Sequence, residues 1–218
     1  MDLARHDLVY VGPPAWHALV AMHADAGTQP LVVEWADRGW PLVVRRRTGD
    51  ASDGIALGLP LPPALGKCRL SFALDARDIV ETSRPPLLDD AIAFAPVAWR
   101  TTLARIVAMA SAFGVEPRVF GSLAWHTLTG LDYLSATSDL DLLLPLPDAD
   151  DVAAFTARLA AIEADAPMRL DGELVRGDGA AANWRELHAG ASEVLVKSLR
   201  RVALVETRDF LDGAPLPC

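Results

Sequence analysis

The stretch FGSLAWHTLTGLDYLSATSDLDLLL, residues 120–144, decides the fold, because it combines a Gly-Ser pair, a short helical pattern and two closely spaced aspartates. Successive side chains of a strand point to opposite faces, so Asp139 and Asp141 share one face and Leu140 takes the other. Two neighbouring carboxylates repel each other, and a divalent cation relieves that repulsion. Mg²⁺ prefers oxygen ligands and is typically held by one or two carboxylates together with substrate phosphates. We therefore interpret Asp139 and Asp141 as metal ligands.

The Gly-Ser pair lies between a predicted strand at 116–120 and a predicted helix at 123–129. Gly121 lets the backbone approach a phosphate closely, and the N-terminus of a helix offers N–H groups and a favourable dipole. Ser122 adds a hydroxyl donor at the same place. We expect Gly121 and Ser122 to bind substrate phosphates.

A third carboxylate, Asp171, lies within MRLDGELV, a further predicted strand at 168–175. We expect it to lie beside the pair as a metal ligand and as the acceptor of a proton from an attacking hydroxyl. Each motif alone has an ordinary alternative: a helix N-cap for Gly-Ser, an exposed strand edge for Asp-Leu-Asp, and a hairpin turn for Asp-Gly. The order of the three motifs favours the metal site.

Composition narrows the class of protein. The chain has 218 residues, 51% of them hydrophobic, which is enough to bury a sizeable core. The net charge of -9 argues against a general nucleic-acid binder. No apolar run reaches the ~18 residues of a membrane-spanning helix, and the N-terminus lacks the order of a secretion signal, so we expect a cytoplasmic protein without a membrane partner. The two cysteines, Cys68 and Cys218, form no disulfide framework or metal-ligand spacing and are expected to be reduced thiols.

Two basic clusters stand out against this acidic background. Arg45 and Arg46 belong to a run of three arginines, and Lys197 precedes the arginines at 200 and 201. Each cluster is either a solvated edge or part of a phosphate site. If they bind phosphate, we expect Lys197, and secondarily Arg45 and Arg46, to add positive charge near the leaving group.

The pattern of elements divides the chain at a proline pair within 83–90, which we interpret as a linker between a domain at 1–85 and a domain at 86–218. The first part is rich in short apolar runs that predict strands, with one helix at 15–24. Beyond the linker, helices and strands alternate. Helices are predicted at 101–113, 123–129 and 150–163, and strands at 116–120, 139–144 and 168–175. Periodicity does not decide whether 194–204 is strand or helix.

The order of apolar strand, Gly-Ser, helix, Asp-x-Asp and a later strand with a third Asp resembles the nucleotidyltransferase superfamily related to DNA polymerase β. The resemblance covers residues 116–175 and places the motif on Gly121, Ser122, Asp139, Asp141 and Asp171. It implies a nucleotidyltransferase-type mixed sheet with flanking helices. Together with the strands predicted in the first part, this gives an α+β protein: a small β-rich N-terminal domain followed by the nucleotidyltransferase-type domain. The resemblance also implies Mg²⁺, with Mn²⁺ as a substitute, held by the three aspartates.

A narrower resemblance extends over most of the chain. RHDLVYV, PLVVRRR, the proline pair, the stretch at 120–144 and NWRELHAGASEVLVKSL together resemble the phosphoribosyl-dephospho-CoA transferase of malonate decarboxylase, its holo-acyl-carrier-protein synthase. This resemblance implies transfer of the phosphoribosyl-dephospho-CoA group from 2'-(5''-triphosphoribosyl)-3'-dephospho-CoA to a serine of the apo acyl carrier subunit, with release of pyrophosphate. The alternatives are a small-molecule nucleotidyltransferase that uses ATP, such as an antibiotic-modifying enzyme, and a non-catalytic nucleotide-binding partner protein.

Other aromatic and polar residues near the motifs are assigned mainly to packing. Trp125 and His126, on the helix after Gly-Ser, are interpreted as a core tryptophan and a hydrogen-bonded histidine. Trp184, flanked by Asn183 and Arg185, either contacts a ligand or the carrier protein, or anchors a loop through a buried indole.

Overall fold

The computed structural model describes residues 3–23, 27–46, 54–66 and 68–216. The chain divides into two compact units, Met1–Pro85 and Pro86–Cys218. Each unit contains a β-sheet and helices, so the predicted α+β class is confirmed. None of the helices in the described ranges is long and apolar enough to cross a membrane. Cys68 is an exposed free thiol, whereas Cys218 lies outside the described residues.

The N-terminal unit is built on an antiparallel sheet with the strand order β4-β3-β2-β1-β5. Its elements are β1 (Leu8–Val11), α1 (Pro13–Ala21), α2 (Pro30–Val33), β2 (Leu42–Val44), β3 (Ile55–Pro60), β4 (Arg69–Leu74) and β5 (Ile79–Ser83). The apolar runs correctly predicted β1 to β4. Strand β5 was not predicted, because its residues are mostly polar and exposed.

Tryptophans form much of the core of this unit. The Trp16 indole N–H donates to the Val32 carbonyl at 2.7 Å, and the Trp35 indole N–H donates to the Pro41 carbonyl at 2.9 Å. The Trp16 ring packs edge-on against Phe72, with centroids 5.0 Å apart. Because each indole is fully buried and its N–H is satisfied, the rings contribute apolar burial without an unpaired donor.

The C-terminal unit is built on a mixed sheet with the strand order β11-β10-β9-β8-β7-β6. Its strands are β6 (Arg118–Val119), β7 (Leu140–Pro145), β8 (Leu170–Val175), β9 (Ala181–Asn183), β10 (Glu193–Lys197) and β11 (Val202–Glu206). Its helices are α3 (Leu88–Ala91), α4 (Val97–Ser111), α5 (Gly121–Thr129), α6 (Val152–Ala164), α7 (Trp184–His188) and α8 (Thr207–Leu211). Strands β7 and β8 are parallel and are joined through α6, whereas the other neighbouring strands whose register is defined run antiparallel.

The interpretation of 83–90 as a linker is wrong in its second half. Leu88 is fully buried and begins α3. The backbone there is tied to the strand region of the C-terminal unit: Leu88 N–H donates to Pro117 O at 2.8 Å, and Val119 N–H donates to Pro86 O at 2.9 Å. The proline pair ends β5, but the apolar residues after it belong to the core. The ambiguous segment 194–204 contributes to two strands, β10 and β11.

The alternation of side chains along β7 separates the core from the opposite face of the sheet. Leu140, Leu142 and Leu144 are fully buried in the cluster that also contains residues of α4 and α6. The intervening positions, Asp141 and Leu143, must therefore point to the other face. Helices cover one face of the sheet through apolar contacts, and the acidic side chains are left on the other.

Arg176, which follows β8, fixes the end of α8. Arg176 is 9% exposed, and its guanidinium donates to the carbonyls of Phe210, Gly213 and Ala214 at 3.0 to 3.2 Å. It also pairs with Asp178. The planar fork of arginine thus bonds all three carbonyls at the end of α8, of which that of Phe210 also accepts the Gly213 N–H at 3.4 Å.

We expect Arg176→Ala to destabilise the protein by roughly 2–4 kcal/mol, because a nearly buried guanidinium that donates to three carbonyls and pairs with Asp178 is lost. Arg208→Ala is the matched control: it removes an exposed pair with Asp212 on the same helix, and its effect should stay within about 0.5 kcal/mol. Thermal denaturation followed by circular dichroism compares the two. Equal losses would contradict the assigned role of Arg176.

Candidate active site

Two strands bring aspartates together on the face of the sheet opposite the helical core. In the parallel register of β7 and β8, Asp141 lies directly opposite Asp171. Asp139 precedes β7 by one residue and interacts electrostatically with Asp141. All three side chains are partly exposed. Residues that are 30 or more positions apart in the sequence therefore share one small volume.

A fourth carboxylate, Glu173, lies on the same face. It is two residues after Asp171 in β8 and is 6% exposed. The Lys197 ammonium, on β10, donates to Glu173 Oε1 at 3.0 Å. Lys197 was predicted as a site residue and Glu173 was missed, although the alternation of side chains along a strand places residues 171 and 173 on one face.

The Gly-Ser pair lies against the carboxylate of Asp141. Strand β6 pairs with β7, and the Phe120 N–H donates to the Asp141 carbonyl at 3.1 Å, so α5 begins beside Asp141. The Ser122 backbone N–H donates to the Asp141 carboxylate. The N-terminus of α5 thus stabilises a negative charge in this structure, as helix N-termini generally do.

Gly121 is required here for two separate reasons. Its φ of +63° lies in the left-handed region, which side chains disfavour. In addition, a Cβ atom at this position would lie 1.8 Å from Asp141 Oδ2. The close approach of the α5 backbone to the carboxylate is therefore possible only with glycine.

Burial and neighbouring negative charges raise the pKa of Asp141 to about 7. Burial is the largest cause, followed by repulsion from Asp171 and then from Asp139; Glu173 contributes least. The hydrogen bond from the Ser122 N–H acts in the opposite direction. The charged form of Asp141 is thus disfavoured near neutral pH, and a cation bound among these carboxylates would favour it.

Asp171 is connected to the following strand and helix through Asn183. The Asn183 Nδ2 donates to Asp171 Oδ1 at 3.2 Å, and the Asn183 Oδ1 accepts the Arg185 backbone N–H at 2.9 Å. Asn183 is therefore the N-cap of α7 and a partner of Asp171 at once.

The Arg185 guanidinium forms a two-pronged ion pair with Glu163 of α6 and also donates to the Leu170 carbonyl at 3.0 Å. Burial acts to raise the pKa of Glu163, but the hydrogen bonds from Arg185 and the Leu170 N–H outweigh it and lower the pKa. The ion pair correspondingly raises the pKa of Arg185. Both groups remain charged and hold the residue that precedes Asp171.

The tryptophans confirm the packing interpretations. Trp184 is 1% exposed, and its indole N–H donates to the Leu170 carbonyl at 3.2 Å. It therefore anchors α7 and does not form part of an exposed contact surface. Trp125 is buried, and the His126 Nδ1 lies 2.7 Å from the Leu131 carbonyl. Asp171 is part of β8 and not of a hairpin turn.

The arginines at 45 and 46 lie in the N-terminal unit, immediately after β2, and not in the unit that carries the aspartates. Both are partly exposed, and the third arginine of the run lies outside the described residues. Their assignment as phosphate ligands stays a prediction.

The donor chemistry of the acidic face fits a hard divalent cation, because carboxylate oxygens are the preferred ligands of Mg²⁺ and Mn²⁺. Within the described ranges, no three or more His, Cys, Asp or Glu side chains already converge as a metal site. Protein donors occupy two of the carboxylates: the Ser122 N–H contacts Asp141, and Asn183 contacts Asp171. The raised pKa of Asp141 is the observation that fits a cation at this place.

Comparison with known proteins identifies the family. The model described as "Phosphoribosyl-dephospho-CoA transferase MdcG C-terminal domain" matches residues 87–208, and the corresponding N-terminal domain model matches residues 4–85. The chain belongs to the phosphoribosyl-dephospho-CoA transferase family.

Curated relatives cover nearly the whole length of the chain. The phosphoribosyl-dephospho-CoA transferase of Bradyrhizobium diazoefficiens is 47% identical over 96% of this chain and 93% of its own. Those of Xanthomonas campestris pv. campestris and Pseudomonas putida are 42% and 32% identical, over 83% and 92% of this chain and 89% and 92% of their own. No solved structure matches the chain. The relatives confirm that this transferase family member is an enzyme.

The glycine that faces Asp141 gives a direct test of the site geometry. Gly121→Ala should destabilise the transferase more than Gly130→Ala, the matched control at the other end of α5. Both positions have a positive φ, so both substitutions cost about 1–2 kcal/mol in backbone strain. A Cβ at Gly130 meets no atom within 4 Å, whereas one at Gly121 overlaps the Asp141 carboxylate. Equal falls in melting temperature for the two variants would contradict the close approach.

The raised pKa of Asp141 predicts a pH-dependent stability for the metal-free protein. Between its ordinary value near 3.8 and about 7, the folded protein holds a proton that the unfolded chain has lost. The contribution of Asp141 to stability therefore falls as pH rises through this range and is least favourable above pH 7.

Asp141→Asn removes that penalty, so the stability of the variant relative to wild type should increase by roughly 3 kcal/mol between pH 5 and pH 8. Chemical denaturation in the presence of a chelator at both pH values measures the change. Asp148→Asn, at an exposed aspartate after β7, is the control and should follow wild type. If the difference in unfolding free energy between wild type and Asp141→Asn does not grow with pH, Asp141 is already ionised in the folded protein over this range.

Proposed function

We propose that this transferase is a metal-dependent nucleotidyltransferase that modifies the apo acyl carrier subunit of malonate decarboxylase. Its donor would be 2'-(5''-triphosphoribosyl)-3'-dephospho-CoA, its acceptor a serine hydroxyl, and its second product pyrophosphate. The observation that carries the proposal is the register of β7 and β8, which sets Asp141 opposite Asp171 beside the start of α5. The names of the curated relatives support the phosphoribosyl-dephospho-CoA part of the donor. We expect the enzyme to act in the cytoplasm.

Asp139, Asp141 and Asp171 would hold Mg²⁺, or Mn²⁺ in its place. The bound metal would neutralise charge on the triphosphate and on the departing pyrophosphate. The like-charge repulsion that raises the pKa of Asp141 supports this assignment, since it is a cost that a cation removes.

The transfer itself requires one proton acceptor and a positioned phosphate. The serine oxygen forms a bond to the phosphorus next to the ribose, the bond from this phosphorus to pyrophosphate breaks, and the serine proton leaves. Asp171 is assigned as the acceptor of this proton. Its carboxylate has a defined neighbour on each side: Asp141 across the strand pair and Asn183 on the next strand.

The α5 N-terminus and Lys197 would bind the outer phosphates. The Ser122 N–H donates to the Asp141 carboxylate, which supports its ability to stabilise an anionic oxygen. Lys197 uses one of its three ammonium donors on Glu173, and its side chain is 40% exposed, so further donors remain for a phosphate. Glu173 would hold Lys197 in place while the substrate enters.

The proposal is tested by measuring the mass of the carrier subunit. Incubation of apo carrier with triphosphoribosyl-dephospho-CoA, Mg²⁺ and the enzyme should add the phosphoribosyl-dephospho-CoA mass to the carrier and release pyrophosphate. A chelator should abolish the change. Asp139→Asn, Asp141→Asn and Asp171→Asn should each lower the rate at least about 100-fold, because metal charge stabilisation contributes several kcal/mol. Asp148→Asn, at an exposed aspartate outside the site, is the control and should retain the rate.

Two other outcomes would overturn the proposal. Adenylylation of an aminoglycoside from ATP, without a change in carrier mass, would identify a small-molecule nucleotidyltransferase. Nucleotide binding without any transfer would identify a non-catalytic partner protein. Transfer that persists at the wild-type rate in Asp141→Asn would reject the assigned mechanism while leaving the substrate assignment intact.

A further inference from the structure

Asn183 uses both ends of its side-chain amide, and one end reaches the acidic face. As the N-cap of α7 it accepts the Arg185 backbone N–H through Oδ1 at 2.9 Å. A backbone N–H can only donate, so this contact fixes which end of the amide is oxygen. Nδ2 is consequently the atom that lies 3.2 Å from Asp171 Oδ1 and donates to it.

The cap is held by a charged cluster around the beginning of β8. The Arg185 guanidinium pairs with Glu163, donates to the Leu170 carbonyl, and lies 4.6 Å from the centre of the Trp184 ring. Glu163 Oε1 in turn accepts the Leu170 N–H at 2.8 Å. The same cluster therefore fixes Asn183 on one side and the backbone immediately before Asp171 on the other.

We propose that Asn183 is a positioning residue for Asp171: its amide sets the direction of the carboxylate that binds the metal and accepts the serine proton. This inference rests on the proposed function of Asp171. A helix cap needs only a side-chain acceptor oxygen, which serine or aspartate supplies equally well. Asparagine adds a donor, and that donor contacts the carboxylate of the site.

Two substitutions separate the cap from the contact with Asp171. Asn183→Ser keeps a cap oxygen but is too short to reach Asp171, whereas Asn183→Ala loses both. We expect Asn183→Ser to melt close to wild type and Asn183→Ala to melt lower. Both should bind Mn²⁺ about 10-fold more weakly than wild type, because loss of a hydrogen bond to a metal ligand typically has this effect.

Mn²⁺ binding is measured on the full chain without substrate, from the electron paramagnetic resonance signal of the free ion. Asp171→Asn provides a double-mutant cycle: if Asn183 acts through Asp171, Asn183→Ser should cause no further loss of affinity in the Asp171→Asn background. In the carrier-mass assay at saturating Mg²⁺, Asn183→Ser should lower kcat and leave the KM for the triphosphoribosyl donor unchanged.

The outcomes distinguish this inference from the proposed function. Wild-type affinity for Mn²⁺ and wild-type kcat in Asn183→Ser would reduce Asn183 to a helix cap and overturn the inference alone. The inference would also be overturned if Asn183→Ser weakened Mn²⁺ binding as much in the Asp171→Asn background as in wild type, since Asn183 would then not act through Asp171. If wild type binds no Mn²⁺ and transfers nothing, the proposed function fails and the inference fails with it.

Discussion

The site depends on the parallel register between β7 and β8, which places Asp141 directly opposite Asp171. Side chains opposite each other in a sheet lie within a few ångströms, so the register forces two like charges together at partial burial. A shift of one residue would turn Asp171 into the apolar core and Gly172 toward Asp141. The core prevents that shift: a Cβ at Gly172 would already lie 3.0 Å from the Trp184 ring, and Leu142 and Leu144 are fully buried.

The electrostatic cost of this register is distributed over several elements. The Ser122 N–H offsets part of the charge of Asp141, and Asn183 donates to Asp171. Neither contact adds a positive charge. Two of the cations near the strands are paired with glutamates, Lys197 with Glu173 and Arg185 with Glu163. These pairs fix the frame around the aspartates, and the Arg185 guanidinium also interacts electrostatically with Asp171 and Asp139.

The sequence predicted the elements that carry strong local signals and missed those whose signals are long-range. The alternation of Leu140 to Leu144 predicted β7 and the shared face of Asp139 and Asp141, since side-chain direction in a strand follows from local geometry. The short strand β9 and helix α7 were missed, because AAN and WRELH carry little apolar periodicity and owe their structure to Trp184 and the pair between Glu163 and Arg185. The contact of Asn183 with Asp171 joins two strands, and no spacing rule along the chain reveals it. Likewise, the Gly-Ser motif indicated a close approach, but only the structure identifies the Asp141 carboxylate as the group that approaches.

The charges of the site bear on how a triphosphate would enter under the proposed function. Lys197 and Arg185 are each paired with a glutamate, so Asp139, Asp141 and Asp171 would present an acidic face to an acidic substrate. Repulsion between like charges at this distance would oppose binding of a bare triphosphate. Lys197 alone cannot reverse the sign, because its charge also serves Glu173. Under the proposed function, cations would enter with the substrate or before it, and the same ions would remain in place for the departure of pyrophosphate. The acidic face would then select for metal-complexed polyphosphates, and other surfaces of the chain would recognise the rest of the donor.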